Sequence, residues 1–222
     1  MIWLYIFLIL LIIFLIFISF KSFRKNEFNM FGFNFFKYTM GFIFKFYYPF
    51  KSENKKVVPN DGPILLCGNH IHIMDQCLPI LCIKRPVHYM AKIEYFRNPK
   101  TKWFFKLAGC IPVNREIHDE NAKSAAIDVL NKELALGIFP EGTRNRTKEL
   151  LQPFKFGAVS MAKKTNATIV PYAITGTYKF RTKDLKITFG EPFKVGEMDL
   201  EEANEKLYNE ILNIIKKEKN IK

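Results

Sequence analysis

Residues 2–20 form an unbroken apolar run with Ser19 as its one polar side chain, and a chain that opens this way has few places to put its first segment. At about 1.5 Å of rise per residue the run spans roughly 28 Å as a helix, close to the thickness of a bilayer's hydrocarbon core. A cleaved secretory leader is the competing reading. Such leaders carry a basic residue ahead of a shorter apolar stretch and small residues at the cleavage point, and none of these features is present. The expectation is therefore an uncleaved transmembrane anchor over residues 1–25 with its basic flank. Lys21, Arg24 and Lys25 follow the run at once, and the positive-inside rule puts that flank, and the rest of the chain, in the cytoplasm.

A second apolar stretch, within a segment of residues 26–56, is dense in aromatics. Phe31, Phe35, Tyr38, Phe42 and Phe46 keep helical spacing, while Phe33, Phe36 and Phe44 fall on the other side. Lys37, Lys45, Asn34 and Pro49 make a second full crossing expensive, and it would move the remaining chain across the membrane. The expectation is a helix lying in the bilayer interface, aromatics at headgroup depth and lysines snorkelling to phosphates. Ordinary packing under the following domain is the alternative.

Residues 57–222 are long enough for one catalytic-size domain. Short apolar runs at 63–69, 87–91, 109–113, 136–139, 168–173 and 185–189 read as strands. Helical patterns at 74–82, 101–107, 119–134, 154–164 and 200–217 lie between or after them. Strands alternating with helices argue for an α/β domain around a mostly buried sheet. In the last helix Asp199 is placed to cap, and Ala203, Leu207, Ile211 and Ile214 give the buried face. Cys67, Cys77, Cys82 and Cys110 form no C-x-x-C pair and read as reduced core thiols. The 34 Lys and Arg against 21 Asp and Glu give a net charge of +13, which favours anionic partners without choosing among them.

Four blocks could carry chemistry. The first, Gly68-Asn69-His70-Ile71-His72-Ile73-Met74-Asp75, follows an apolar strand, where active sites of α/β sheets gather. A turn there brings Asp75 back to His70, so that the carboxylate fixes the imidazole's tautomer and steadies its protonated form. No protein nucleophile stands at an obvious place, which leaves a substrate hydroxyl for that part. A metal site and a purely structural histidine compete, although His88 and His118 are the only other histidines. The second block, Phe139-Pro140-Glu141-Gly142-Thr143-Arg144, offers a free turn at Gly142, a hydroxyl at Thr143 and a planar phosphate-binding fork at Arg144. Glu141 is suited to steadying Arg144 or to accepting a bond from a substrate hydroxyl, and an ordinary turn is the alternative. The third block, Gly109 to Arg115, sets another arginine after a strand; the fourth, Ile169-Val170-Pro171, is weak alone.

In order and spacing these four blocks resemble the 1-acyl-sn-glycerol-3-phosphate acyltransferase family over roughly residues 60–190, the His–Asp and Pro-Glu-Gly-Thr-Arg blocks being the specific ones. The resemblance implies a glycerolipid acyltransferase-like α/β domain with a mixed sheet, behind its anchor at the cell membrane. It implies His70 and Asp75 as the catalytic pair, and Glu141, Gly142, Thr143, Arg144 and Arg115 as handlers of the phosphorylated acceptor, with Lys92 a further phosphate contact. One departure is His72, where many relatives have Ser. The reaction implied is acyl transfer from acyl-coenzyme A or acyl carrier protein to the free hydroxyl of lysophosphatidate, giving phosphatidate without a further cofactor or metal. Another lysolipid acceptor, or lipid binding without turnover, are the rival readings. Nucleic-acid binding has only the charge in its favour.

Overall fold

The computed structural model describes residues 30–114, 116–117 and 119–221. The expected anchor at residues 2–20, its flank Lys21, Arg24 and Lys25, and also Arg115 and His118, lie outside the described residues. The chain opens with helix α1 (Met30–Tyr47), strand β1 (Phe50–Glu53) and strand β2 (Ile64–Gly68). Then come α2 (Cys77–Cys82), β3 (Val87–Lys92), the short α3 (Glu94–Arg97), α4 (Pro99–Leu107) and β4 (Ile111–Val113). The second half runs α5 (Glu120–Asn131), β5 (Ala135–Ile138), α6 (Gly157–Thr165), β6 (Thr168–Thr175), β7 (Leu185–Phe189) and α7 (Leu200–Lys219).

Among the described residues the strands make one mixed seven-stranded sheet in the order β1-β7-β6-β2-β5-β3-β4. β2 is parallel to both neighbours, Leu65 lying opposite Leu136 on β5 and Ile169 on β6. β5 is parallel to β3 and β3 to β4, while β6 and β7 are antiparallel. Successive strand residues face opposite sides, so β2 serves two cores at once. Leu65 and Cys67 pack with Leu130, Val159, Leu207 and Ile211 of α5, α6 and α7. Ile64 and Leu66 pack on the other face with Leu78, Tyr89, Tyr172 and Phe44. Every residue of β2 is buried, as a continuous apolar strand in a two-sided sheet requires.

Helix boundaries differ from those read in the sequence for local reasons. The expected helix at 74–82 begins only at Cys77, because Asp75 draws the N–H groups of Ile71 and His72 into a turn (2.6 and 2.7 Å). The strand expected from 109 begins at Ile111, since Gly109 has a positive φ of 64° and closes the end of α4. In α7 Ile215, not Ile214, completes the buried stripe with Ala203, Leu207 and Ile211. All four cysteines are free thiols, and burial pushes Cys77 and Cys110 up to about 12.

The sheet starts earlier than residue 57. β1 pairs in parallel with β7, Phe50 opposite Leu185, and Lys186 joins Glu53 of β1 to Glu218 of α7, both at 2.7 Å. Just ahead of it, α1 divides the aromatics by face. Phe33, Lys37, Gly41 and Phe44 are buried, while Tyr38, Phe42 and Phe46 are 72%, 77% and 50% exposed, so core packing does not account for that outer stripe. Lys37 corrects the expectation of a snorkelling lysine: it sits on the inner face, and its ammonium donates to the carbonyl of Ile83. Lys45 does lie on the exposed side. No helix among the described residues is long and apolar enough to cross a membrane.

Candidate active site

Three neighbouring strands deliver the site. β2 ends at Gly68 and passes into His70; β5, beside it, ends at Ile138 and passes into Glu141; β6, on the other side, ends at Thr175 and passes into Tyr178. Parallel running puts all three exits on one edge of the sheet. β3 and β4 end on the same edge, so Lys92 stands there, exposed, and the chain at Asn114 leads into the undescribed Arg115. Asn69 fixes where β2 stops: its side-chain amide donates to the carbonyl of Ile174 at 2.9 Å and accepts from that residue's N–H at 2.7 Å, continuing the strand pairing by one step.

His70 Nδ1 lies 2.9 Å from Asp75 Oδ2. Asp75 is fully buried, and the imidazole is 12% exposed. The same carboxylate oxygen accepts the N–H groups of Ile71 and His72, and the other, Oδ1, accepts the hydroxyl of Tyr178 at 2.7 Å. A buried carboxylate with this many donors is fixed in position and orientation. With Nδ1 turned onto that acceptor, Nε2 is the ring nitrogen left to face a substrate hydroxyl. The imidazole also stacks on Phe139, ring centres 4.0 Å apart and nearly parallel.

The second block clasps the first through the backbone. Glu141 is buried; Oε1 accepts the N–H of His70 at 2.7 Å, and Oε2 accepts the N–H of Gln152 at 3.0 Å. On the other side of the same residue, the N–H of Asn145 donates to the carbonyl of His70 at 2.6 Å. Burial pushes the Glu141 carboxyl above its ordinary value, against the pull of those N–H bonds. Both Glu141 oxygens thus hold main-chain N–H groups, a task that neither an ion pair with Arg144 nor a bond to substrate anticipates. Gly142 adopts φ 74°, a left-handed conformation that glycine takes without strain, and this turns Thr143 and Arg144 outward. Thr143 is exposed and Arg144 half-buried. The Arg144 charge lies near enough to His72 to press its pKa down, although burial is the larger cause.

His72 stacks on Tyr178 at 4.1 Å, and its Nδ1 accepts the N–H of Met74 at 3.3 Å. Tyr178 went unnoticed in the sequence because its loop carries no motif. The Ile169-Val170-Pro171 block supplies buried interior of β6 opposite β2 and does not reach the site. Beside the His–Asp pair, an apolar cavity of about 280 Å³ runs between α1, α2 and α4, with Met74, Gln76, Cys77 and Tyr89 at the site end and Phe33 and Lys37 on the α1 wall.

A family model described as acyltransferase matches residues 49–175. The chain is 34% identical over 141 residues to the 1-acyl-sn-glycerol-3-phosphate acyltransferase of Borreliella burgdorferi, an alignment that takes in 63% of this chain and 55% of that protein. It is 33% identical over 147 residues to the enzyme of the same name from Bacillus subtilis, covering 64% of this chain and 72% of that one. The chain thus spans little more than half the length of the Borreliella relative. The crystal structure of the 1-acyl-sn-glycerophosphate acyltransferase PlsC from Thermotoga maritima has the same fold, with a TM-score of 0.75 over 93% of this chain and 87% of that one, at 20% identity.

Proposed function

The chain belongs to the acyltransferase family, and from that premise we propose that it transfers an acyl group from a thioester to the free hydroxyl of lysophosphatidate, giving phosphatidate. The observation that carries the reading is the His70–Asp75 pair, buried on the carboxylate side and within reach of substrate on the imidazole side. His70 Nε2 takes the proton as the acceptor's hydroxyl oxygen attacks the thioester carbonyl. The new C–O bond forms as the C–S bond breaks, and the imidazolium returns its proton to the departing thiolate. Asp75 holds the ring and stabilises the charge that appears on it, so no acyl-enzyme intermediate is needed.

Arg144, Thr143 and the main chain at Gly142 bind the acceptor phosphate, with Lys92 at the end of β3 adding charge along the same edge and Arg115 a further cation for it. Glu141 acts beneath them by fixing the main chain of His70. The acyl chain of the donor, coenzyme A thioester or acyl carrier protein, fits the apolar cavity beside the pair. The net charge of +13 favours either acidic donor. Residues 2–20 anchor the protein in the cell membrane with the catalytic domain on the cytoplasmic side, and the exposed aromatic stripe of α1 lies in the interface, where acceptor and product both reside.

The test is phosphatidate formation by purified full-length protein from lysophosphatidate with acyl-coenzyme A or acyl carrier protein, beside His70→Ala. General-base help is worth about 10²–10⁴-fold, so the variant should lose at least about 10²-fold in kcat. Near-normal turnover by His70→Ala would end the assignment of the base, and absence of product from the native protein with both donors would end the assignment of the reaction.

A further inference from the structure

Helix α4 is a second place where charge and aromatic surface meet, on the far wall of the apolar cavity. Its sequence, PKTKWFFKL, holds Lys100, Lys102 and Lys106 and not one acidic residue. Phe104 and Phe105 turn inward and line the cavity, whereas Trp103 is 40% exposed and keeps its indole N–H on the carbonyl of Lys100 at 2.8 Å. A rigid, exposed indole between lysines is the pattern of a side chain that settles at headgroup depth while its neighbours reach phosphates. The opposite wall of the cavity is α1, whose lining residues Met40, Ile43 and Tyr47 are themselves exposed. One opening is therefore bordered by an aromatic helix on one side and an aromatic, basic helix on the other.

We propose that α4 docks on the surface of an anionic lipid bilayer through Trp103, Lys100, Lys102 and Lys106, forming with α1 a two-sided rim through which the apolar cavity opens to the lipid. The inference rests on the proposed membrane-associated acyl transfer, and adds to it a lipid charge requirement located in one helix. An acidic carrier protein would also be drawn to these lysines. The exposed indole and the apolar surface of α1 across the same opening favour lipid, because a polar protein surface gains little from either.

The chain has two tryptophans, Trp3 and Trp103, so full-length protein carrying Trp3→Phe reports on Trp103 alone. It is reconstituted into vesicles of phosphatidylcholine with and without phosphatidylglycerol, each also made with brominated acyl chains. Trp103 emission should shift to the blue and be quenched by bromolipid in the anionic vesicles, and much less in the neutral ones. Lys100→Ala with Lys102→Ala should lower the ratio of docked to undocked helix by roughly fivefold per lysine at an anionic surface, with thermal unfolding unchanged. Emission that stays water-like and unquenched in both compositions, or quenching indifferent to the lysines and to lipid charge, overturns the proposal. Shielding of Trp103 only on adding acyl carrier protein overturns it too, and gives the helix to that partner. Turnover measured in the same vesicles separates the two levels. Activity without Trp103 docking removes this inference alone, whereas docking without activity in any vesicle leaves the inference and removes the reaction.

Discussion

Asp75 is surrounded by donors that differ in what they can be asked to do. Three come from its own turn, His70 Nδ1 and the N–H groups of Ile71 and His72, and the fourth is the hydroxyl of Tyr178 from across the sheet edge. Tyr178→Phe removes one of the four bonds that hold the carboxylate under the His70 ring, and it should lower kcat with KM little changed; an unchanged kcat would make Tyr178 only a packing residue. Arg144→Ala should act differently. It should raise KM for lysophosphatidate, with the loss confined to phosphorylated acceptors, and an unchanged KM would count against phosphate binding there. The His70–Asp75 pair was legible because a five-residue turn between strand and helix lets the two meet. The role of Glu141 was not, because its partners are main-chain N–H groups of His70 and Gln152, which no residue type announces.

At the scale of elements, apolar runs foretold the interior strands well, since a strand buried on both faces needs an unbroken run and little else. β1 escaped notice for the same reason reversed: as an edge strand with half its residues exposed, Phe50-Lys51-Ser52-Glu53 has neither a run nor clean alternation. Glycine was equally silent. Gly137 on β5 lies under the ring of Tyr89, where an added Cβ would stand 2.1 Å from Cζ. Gly137→Ala should destabilise the fold by about 1–3 kcal/mol, the usual range for an overfilled core. Combining it with Tyr89→Leu should cost less than the two changes summed, as neighbours in contact are not additive. Denaturant midpoints of the four proteins check this, and strict additivity would mean the ring simply moves aside.

For the whole molecule, acid is the informative perturbation. Burial holds His72 and His88 below the ordinary 6.5. The unfolded chain then binds more protons than the folded one once the pH drops through that value, so stability present above about pH 6.5 is lost as the pH falls toward the depressed values. Glu141 has the opposite sign: its raised pKa contributes stability below the ordinary 4.5, and this fades as the pH rises through the folded value. Thermal midpoints should be flat from about pH 6.5 until the thiols of the unfolded chain begin to ionise, and should decline on acidification from about 6.5. His88→Gln should flatten the decline, and an unaltered slope would mean the imidazole is not what senses the acid. Finally, the pairing of β1 sets a timetable for synthesis. Phe50 and its neighbours emerge from the ribosome early, yet among the described residues their one strand partner is β7, and the clasp on Glu53 needs Lys186 and then Glu218. The strand that follows α1 must therefore wait, unpaired, for almost the entire remaining chain. Closure of this edge of the sheet follows the synthesis of β7 and α7 and cannot accompany the emergence of β1 itself.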